Sequence, residues 1–265
     1  MSADVFAFFI AAGIGLIASI IGMGGGFLYV PTLTLIFGFD PKMAVGTSLA
    51  VMVFSSSAAT LVYRQQKKIL ISLAALLVIP AMIFSALGSL ITLYFDARIL
   101  VILFVLVLFL MSLQMLAPSL RVVPAIRWGP AIEVTYSGSV RPIRIPCIHL
   151  VVWGAMGGLV SGITGTSGGA FFVPALVVIG VPVHFAVATS LLTIIPTSIT
   201  GASTHAVLGH ISLPFLIVYG AGAAIGAYIG ASIAPRIHAD HIQKGFGILL
   251  IFIALLMFQQ KVLGG

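Results

Sequence analysis

The chain has 265 residues, of which 61% are hydrophobic and only 6% are charged, and its mean hydropathy is +1.28. This composition excludes a water-soluble globular protein, because a core of this length cannot bury so much apolar surface. The formal charge of +7 does not indicate a nucleic-acid partner, since the cations are scattered through short connections and form no stripe. We expect a polytopic membrane protein in contact with the lipid bilayer.

Long runs without Asp, Glu, Lys or Arg mark the membrane segments. One helical crossing needs about 20 apolar residues, because the hydrocarbon layer is about 30 Å thick. The run from His184 to Pro235 is too long for one crossing and divides at its polar middle, residues 205–212. Each half of the chain then has four apolar segments. The uncharged runs are Val5–Phe39, Met43–Tyr63, Ile69–Phe95, Ile99–Leu120, Ile145–Val183, His184–Pro235 and Gly245–Gln260.

These segments predict an all-α membrane protein with about eight transmembrane helices in two four-helix repeats. The repeats are residues 1–120 and 148–265, and a polar, basic linker at residues 121–147 joins them. Residues 132–145 alternate in polarity around a Ser-Gly-Ser turn, which predicts either a small surface hairpin or an extended linker. Because no basic n-region precedes the first segment, we expect it to be a retained span and not a cleaved signal.

The first apolar segment of each half is interrupted by a glycine cluster. Gly22–Pro31 (GMGGGFLYVP) recurs as Gly165–Pro174 (GTSGGAFFVP), with identical residues at five of ten positions. Each glycine destabilises a helix by about 1 kcal/mol relative to alanine, so both clusters predict a broken or re-entrant helix. A break at membrane depth survives only when it is buried in protein or lines a polar cavity. We therefore expect the substrate to bind at the two breaks.

The duplication continues after each break. Ala44–Leu49 (AVGTSL) matches Ala186–Leu191 (AVATSL) at five of six positions, which makes chance a poor explanation. A Thr-Ser pair thus begins the next span of each half, where its hydroxyls can face a ligand, cap a helix or bond back to the helix's own carbonyls. The sequence leaves these alternatives open.

The predicted site is free of charge and rich in hydrogen-bond donors. A helix that restarts after a break offers unpaired N–H groups and the positive end of its dipole to an anion. Metal ions fit poorly, since hard cations prefer carboxylates and soft ones prefer Cys or His clusters. We predict no metal and no cofactor. The candidate substrate-binding residues are Gly22, Gly24, Gly25, Gly26, Thr47, Ser48, Gly165, Thr166, Ser167, Gly168, Gly169, Thr189 and Ser190.

His205 is the most interior ionisable residue of the predicted helices, and it aligns with Tyr63 of the first half. An intramembrane histidine is a candidate proton relay or gate, although a plain interfacial role fits its position near a helix end equally well. Residues 165–168 (GTSG) also match the short Gly-x-Ser-Gly pattern of rhomboid-type intramembrane serine proteases. In that alternative Ser167 is the nucleophile and His205 the base. The single cysteine, Cys147, forms no internal disulfide.

The scattered cations serve as topology signals, because cytoplasmic loops are enriched in Lys and Arg. Eight of the twelve fall in three regions, residues 64–68, the linker and residue 261. If all three regions are cytoplasmic, the favoured topology is N-in and C-in with four crossings in each half. An even number of crossings makes the halves parallel and an odd number makes them inverted. The overlong first segments leave both arrangements open.

The order of these motifs resembles that of the TauE/SafE permeases, which are grouped as sulfite exporters and related to toluenesulfonate uptake proteins. Gly15–Gly26 with Pro31, Ala44–Ser48 and the second-half copies ending in Thr189 and Ser190 carry the resemblance. It covers nearly the whole chain apart from the linker.

The resemblance implies a secondary transporter of small organic or inorganic anions, often sulfur-containing, in the cytoplasmic (inner) membrane of a prokaryote. Such a permease is not an enzyme, and it would work by alternating access between its two pseudo-symmetric halves. A passive anion channel is the other transport alternative. Association into a homo-oligomer stays open.

Overall fold

The computed structural model describes residues 2–116, 125–136, 142–237 and 239–259. Within these residues α2 continues as a π-helix, Thr32–Ile36, and short 3-10 turns follow α4 and α9. The α-helices are α1 (Ser2–Ile21), α2 (Gly26–Pro31), α3 (Pro41–Gln65), α4 (Ile71–Ile91), α5 (Ala97–Leu116), α6 (Cys147–Thr164), α7 (Gly169–Val178), α8 (Val183–Val207), α9 (Leu213–Ile233) and α10 (Ala239–Phe258).

The predicted class, an all-α polytopic membrane protein, is confirmed. Six segments of the described chain are long and apolar enough to cross a membrane: Asp4–Ile21, Pro41–Gln65, Ile71–Tyr94, Cys147–Thr164, Val183–Val207 and Leu213–Arg236. The helices α5 and α10 add two more apolar helices of 20 residues each. The directions of all these helices, and not only their number, decide the topology.

In the first half, α1 and α2 form a re-entrant hairpin. The turn between them needs the left-handed backbone that glycine adopts readily, with φ of 82° at Gly22 and 94° at Gly25. After the π-helix, the ring of Phe37 lies 6.5 Å from the ring of Phe6 in α1 and 4.8 Å from that of Phe215 in α9. The chain has therefore returned to the end of the bundle at which α1 begins.

The second half repeats this hairpin with α6 and α7. His149 Nε2 lies 2.8 Å from the carbonyl oxygen of Ala175, and the ring of Trp153 stacks on that of Phe171 at 6.3 Å. A Cβ added to Gly157 would lie 3.1 Å from the carbonyl oxygen of Gly168. Because residue numbers rise along α6 as they fall along α7, the two helices are antiparallel, and α7 returns to the end at which α6 begins.

Three long helices follow each hairpin and run from one end of the bundle to the other. The start of α3 contacts the start of α9, where Thr47 Oγ1 accepts from the N–H of Ser212, and its end contacts the end of α9, where Gln66 donates to the carbonyl of Ala231. Leu70 before α4 donates to Thr189 at the start of α8. The bundle therefore has an N-terminal face, where α1 begins, and a linker face, where α5 ends and α6 begins.

This arrangement corrects the topology derived from the sequence. The first segment of each half turns back, so three helices, not four, run the full length of the bundle in each half. With an odd number the halves are inverted, and the linker lies on the face opposite to the beginning of α1. The N-in and C-in expectation rested on placing the linker and both termini on one side of the membrane. The structure instead places the linker on the face opposite to the beginning of α1.

The two halves interlock through their first helices. Helix α1 packs parallel to α9, and α6 packs parallel to α4, so each hairpin rests on a long helix of the other half. A Cβ added to Gly222, Gly226 or Gly230 of α9 would overlap the carbonyl oxygen of Phe8, Ala12 or Leu16 in α1. The glycines of α6 that face α4 in the same way are Gly154, Gly158 and Gly162. Small residues let membrane helices approach this closely.

The linker contains the hairpin that was one of the two alternatives. Strand β1 (Ala131–Val134) pairs with β2 (Ile143–Pro146) in antiparallel register, with Glu133 opposite Arg144. The Ser-Gly-Ser turn lies outside the described residues. The strand β2 leads directly into α6, so the hairpin covers the linker face next to the second re-entrant helix pair.

Candidate functional site

The two helix breaks meet inside the bundle, one arriving from each face. A Cβ added to Gly26 would overlap the carbonyl oxygen of Gly165, and one added to Gly24 would lie 3.0 Å from Ser167 Oγ. A Cβ added to Gly169 of the second break would lie 2.8 Å from the Cα of Met23 in the first break. The sequence prediction that these clusters form breaks is confirmed, and the structure brings them into direct contact.

The two breaks share a left-handed backbone at one equivalent position but differ in their polar side chains and at the residue before each restarting helix, where φ is 94° at Gly25 and -61° at Gly168. Gly24 has φ of 73°, and its counterpart Ser167 has φ of 61°, a left-handed conformation that is uncommon for a residue with a Cβ. The Ser167 hydroxyl donates to the carbonyl oxygen of Met23 and so ties the second break to the first. Next to it, the hydroxyl of Thr166 lies 2.8 Å from that of Thr164. The polar groups that distinguish the second copy are thus bonded within the protein.

The serines of the Thr-Ser pairs support the break of the opposite half. Ser190 Oγ donates to the carbonyl oxygen of Gly22 at 2.9 Å, and Ser48 Oγ contacts that of Gly165 at 3.0 Å while also bonding Val45. Because a helix break exposes carbonyls that hydrocarbon cannot satisfy, these hydroxyls stabilise the broken backbone.

The threonines of the same pairs bond backbone N–H groups across the repeat. Thr47 accepts from Ser212 at 3.2 Å and Thr189 accepts from Leu70 at 3.1 Å, at the two opposite ends of the bundle. Of the alternatives that the sequence left open, the structure shows the hydroxyls bonding backbone groups, and mainly those of the other half. A direct contact of either pair with substrate stays a prediction.

Backbone donors remain at the start of each restarting helix. Among the described residues, no hydrogen bond is donated by the N–H groups of Gly25 and Gly26 in the first break or of Gly169 and Ala170 in the second. The first N–H groups of a helix have no partner within it, so a bound group can accept from them. All four residues are buried.

In α3 and α8, one buried serine of each helix lies close to the breaks and has no hydrogen-bond partner in the described structure. Ser56 and Ser198 are both fully buried. Ser56 lies one helical turn beyond Met52, whose sulfur is 2.9 Å from a Cβ added at Gly26. Ser198 lies one turn beyond Ile194, whose side chain contacts both breaks. Residues four apart share a helix face, so both serines lie on faces that contact the breaks.

These two serines were missed as site residues from the sequence, although a signal existed. Ser55 and Ser56 occupy the positions of Thr197 and Ser198 in the repeat, in the middle of otherwise apolar helices. A buried hydroxyl without a partner is rare and calls for an explanation such as a bound ligand or water. We therefore add Ser56 and Ser198 to the candidate site.

His205 contacts a backbone carbonyl of α6 and a second histidine, and its role as a proton relay or gate stays a prediction. Its Nε2 lies 3.1 Å from the carbonyl oxygen of Gly162, just as Tyr63, its counterpart, donates to that of Ser19 at 3.0 Å. Its Nδ1 lies 3.2 Å from the Nδ1 of His210 near the N-terminal face. The pKa of His210 is lowered, first by partial burial and then by nearby Lys42, which outweighs the opposing effect of Asp40.

The geometry does not assemble the protease alternative. The Ser167 hydroxyl bonds Met23, and neither ring nitrogen of His205 contacts it. A nucleophile and its base must lie within hydrogen-bond reach of one another. Among the described residues there is also no cluster of three or more His, Cys, Asp or Glu side chains that could hold a metal ion.

Two opposed re-entrant hairpins that meet inside a bundle of inverted halves define a class of membrane protein, since secondary transporters place broken helices at such an interface. The chain belongs to the sulfite exporter TauE/SafE family, whose sequence model matches residues 7–257. It is a multi-pass membrane transporter.

Curated relatives match along most of the chain. The protein is 27% identical over 259 residues to "Probable membrane transporter protein YunE" of Bacillus subtilis (strain 168), covering 94% of both chains. It is 27% identical over 259 residues to "Probable membrane transporter protein MJ0441" of Methanocaldococcus jannaschii, covering 92% of this chain and 91% of the relative. No solved structure matches it.

Proposed function

We propose that the protein is a secondary transporter of small oxyanions, sulfite or organic sulfonates in particular, which bind where the two helix breaks meet. The observation that carries this proposal is the pairing of unbonded backbone N–H groups at both breaks with the buried, unpartnered hydroxyls of Ser56 and Ser198. These groups donate hydrogen bonds, so an acceptor-rich ligand satisfies them.

The chemistry of the surroundings supports an anion over a cation. The described parts of α2, α3, α7 and α8 that contact the breaks carry no Asp or Glu, which a metal cation or an organic cation would need. Neutral donors and helix N-termini hold an anion without a fixed counter-charge, which lets the anion leave again. A sulfur oxyanion offers several acceptor oxygens in a small volume.

The opposed hairpins suggest how access alternates. The first hairpin reaches the site from the N-terminal face and the second from the linker face, and their inverted halves can exchange conformations. Opening beside one hairpin while the other stays packed would expose the site to one face at a time. This coupling distinguishes a transporter from a passive channel, which opens to both faces together.

The test is a flux assay in proteoliposomes with sulfite, methanesulfonate, acetate and choline. We expect saturable uptake of sulfite or methanesulfonate, little uptake of choline, and a change in rate when a pH gradient is imposed. Liposomes without protein are the control. Absence of anion movement under every gradient would overturn the proposal, and flux that neither saturates nor responds to a gradient would establish a channel.

We also propose an orientation in the inner membrane of a prokaryote. Among the described cations, Arg64, Lys67, Lys68, Arg127, Arg144, Arg236 and Lys244 belong to segments at the linker face, whereas Lys42 and Arg98 belong to segments at the N-terminal face. Because Lys and Arg accumulate on the cytoplasmic side, the linker face is cytoplasmic. The N-terminal face, where α1 begins and α10 ends, is then external.

Cysteine labelling of intact cells tests this orientation. In a Cys147→Ser background, Tyr94→Cys places a thiol at the N-terminal face and Trp128→Cys places one at the linker face; both native side chains are well exposed, at 86% and 69%. A membrane-impermeant maleimide should label the first variant in intact cells and the second only after permeabilisation. The reverse pattern would restore the N-in and C-in topology.

A further inference from the structure

A groove opens on the side of the bundle between α3, the start of α4 and α8, at the linker face. Its volume is about 720 Å³, and its walls are mainly apolar. Leu61 and Ile71 on its rim are 59% and 72% exposed, so the groove is open sideways, not closed within the bundle. The residues that line it include Thr60, Leu61, Arg64, Lys67, Ile71 and Leu192.

One end of this groove carries two positive charges. Arg64 lies in the last turn of α3, and Lys67 follows the helix. No ion pair joins either cation to a carboxylate among the described residues. One turn before Arg64, the largely buried hydroxyl of Thr60 has no hydrogen-bond partner either. The groove therefore presents two cations and a free hydroxyl at one end and apolar side chains along the rest.

The internal repeat shows that the charges are specific to this face. Tyr63 and His205 make equivalent contacts, so the positions of Arg64 and Lys67 correspond to Ala206 and Gly209 in the second half. Thr60 corresponds to Ala202. The three equivalent positions on the N-terminal face thus carry no charge.

Lys67 also adopts a backbone conformation that favours glycine. Its φ is 55°, and Gly209 at the equivalent position has φ of 74°. A lysine in the left-handed region is strained, and such strain persists where the side chain has a use. The first half thus keeps a cation where the second half has the residue that the turn prefers.

We propose that this groove binds an anionic phospholipid. The phosphate lies against Arg64 and Lys67, and an acyl chain follows the apolar wall formed by Leu61, Ile71 and Leu192. Basic side chains beside a transmembrane helix attract anionic headgroups, and the sideways opening admits a chain from the bilayer. A hydrated substrate anion gains nothing from the long apolar wall. The proposal does not depend on the identity of the transported substrate.

Native mass spectrometry of the purified full-length protein tests this with dioleoyl phosphatidylglycerol and dioleoyl phosphatidylcholine. We expect the wild type to retain phosphatidylglycerol at least tenfold better than phosphatidylcholine. The double variant Arg64→Ala, Lys67→Gly should lose this preference, and it should fold because both replacements are the residues of the second half. Lys68→Gln is the matched control, since Lys68 is a neighbouring cation that does not line the groove, and it should keep the preference.

Three results would overturn the proposal: no preference of the wild type for phosphatidylglycerol, an equal loss in Lys68→Gln, or displacement of the lipid by sulfite at millimolar concentration. The last would assign the cations to a soluble anion. Thermal unfolding of the lipid-free variants checks the fold. The single variant Lys67→Gly gives an independent readout, because it should lose lipid affinity while it unfolds at the same or a higher temperature than the wild type.

Discussion

Replacing Gly226 by alanine is expected to lower the free energy of unfolding by about 3 kcal/mol, a large share of the stability of a folded chain. The added methyl group would overlap the carbonyl oxygen of Ala12, and a backbone carbonyl cannot turn aside as a side chain can. Helices α1 and α9 must then separate along their whole contact. Thermal unfolding of the purified protein in detergent measures the effect, together with the yield of monodisperse protein.

Gly220→Ala is the matched control for this prediction. It makes the same change in the same helix, but the nearest atom to the added Cβ is in the ring of Phe54 at 3.2 Å, and a ring can shift. We expect its stability to stay within about 0.5 kcal/mol of the wild type. Equal stability of the Gly226→Ala and Gly220→Ala variants would contradict the close packing of α1 on α9.

Replacing Gly26 by alanine is expected to reduce transport by about 100-fold or more, equivalent to about 3 kcal/mol. Gly26 begins α2 in an ordinary helical conformation, so alanine does not strain its own backbone and even favours the helix by about 1 kcal/mol. Its methyl group would, however, overlap the carbonyl oxygen of Gly165 and push the two breaks apart. The donors of the two hairpins would then no longer converge on one ligand.

The measurement is the initial rate of sulfite or methanesulfonate uptake in proteoliposomes that contain equal amounts of protein. Gly13→Ala serves as the control, because a Cβ at Gly13 meets nothing within 4 Å, and it should transport at the wild-type rate. Helix content by circular dichroism should be unchanged in both variants. If Gly26→Ala transports within twofold of the wild type, the contact between the breaks is not part of the transport site.

The parts of the structure that depend on local sequence could be predicted. The glycine density of residues 22–26 and 165–169 is sufficient to break a helix wherever it lies, and the repeat of the flanking residues marks both breaks. Local hydropathy likewise predicted the apolar segments. Both signals act over a few residues and need no knowledge of the partner helix.

The direction of the chain after each break could not be predicted, because distant contacts decide it. Phe37 turns the first hairpin back by packing on Phe215, and Trp153 holds the second through Phe171. The hydrogen bond from Ser190 to Gly22 could not be predicted either, because the two residues lie 168 positions apart in the sequence. Since the topology depends on this reversal, the charges in the sequence could not by themselves place the linker and the start of α1 on opposite faces.

The packing of α1 on α9 also affects when the first helix can fold during synthesis. Ala12 leaves the ribosome more than 200 residues before Gly226, its partner in the contact of α1 with α9. Contacts so far apart in sequence form late, because the chain between them must be closed into a loop. A nascent chain that stops before α9 therefore lacks the helix on which α1 packs.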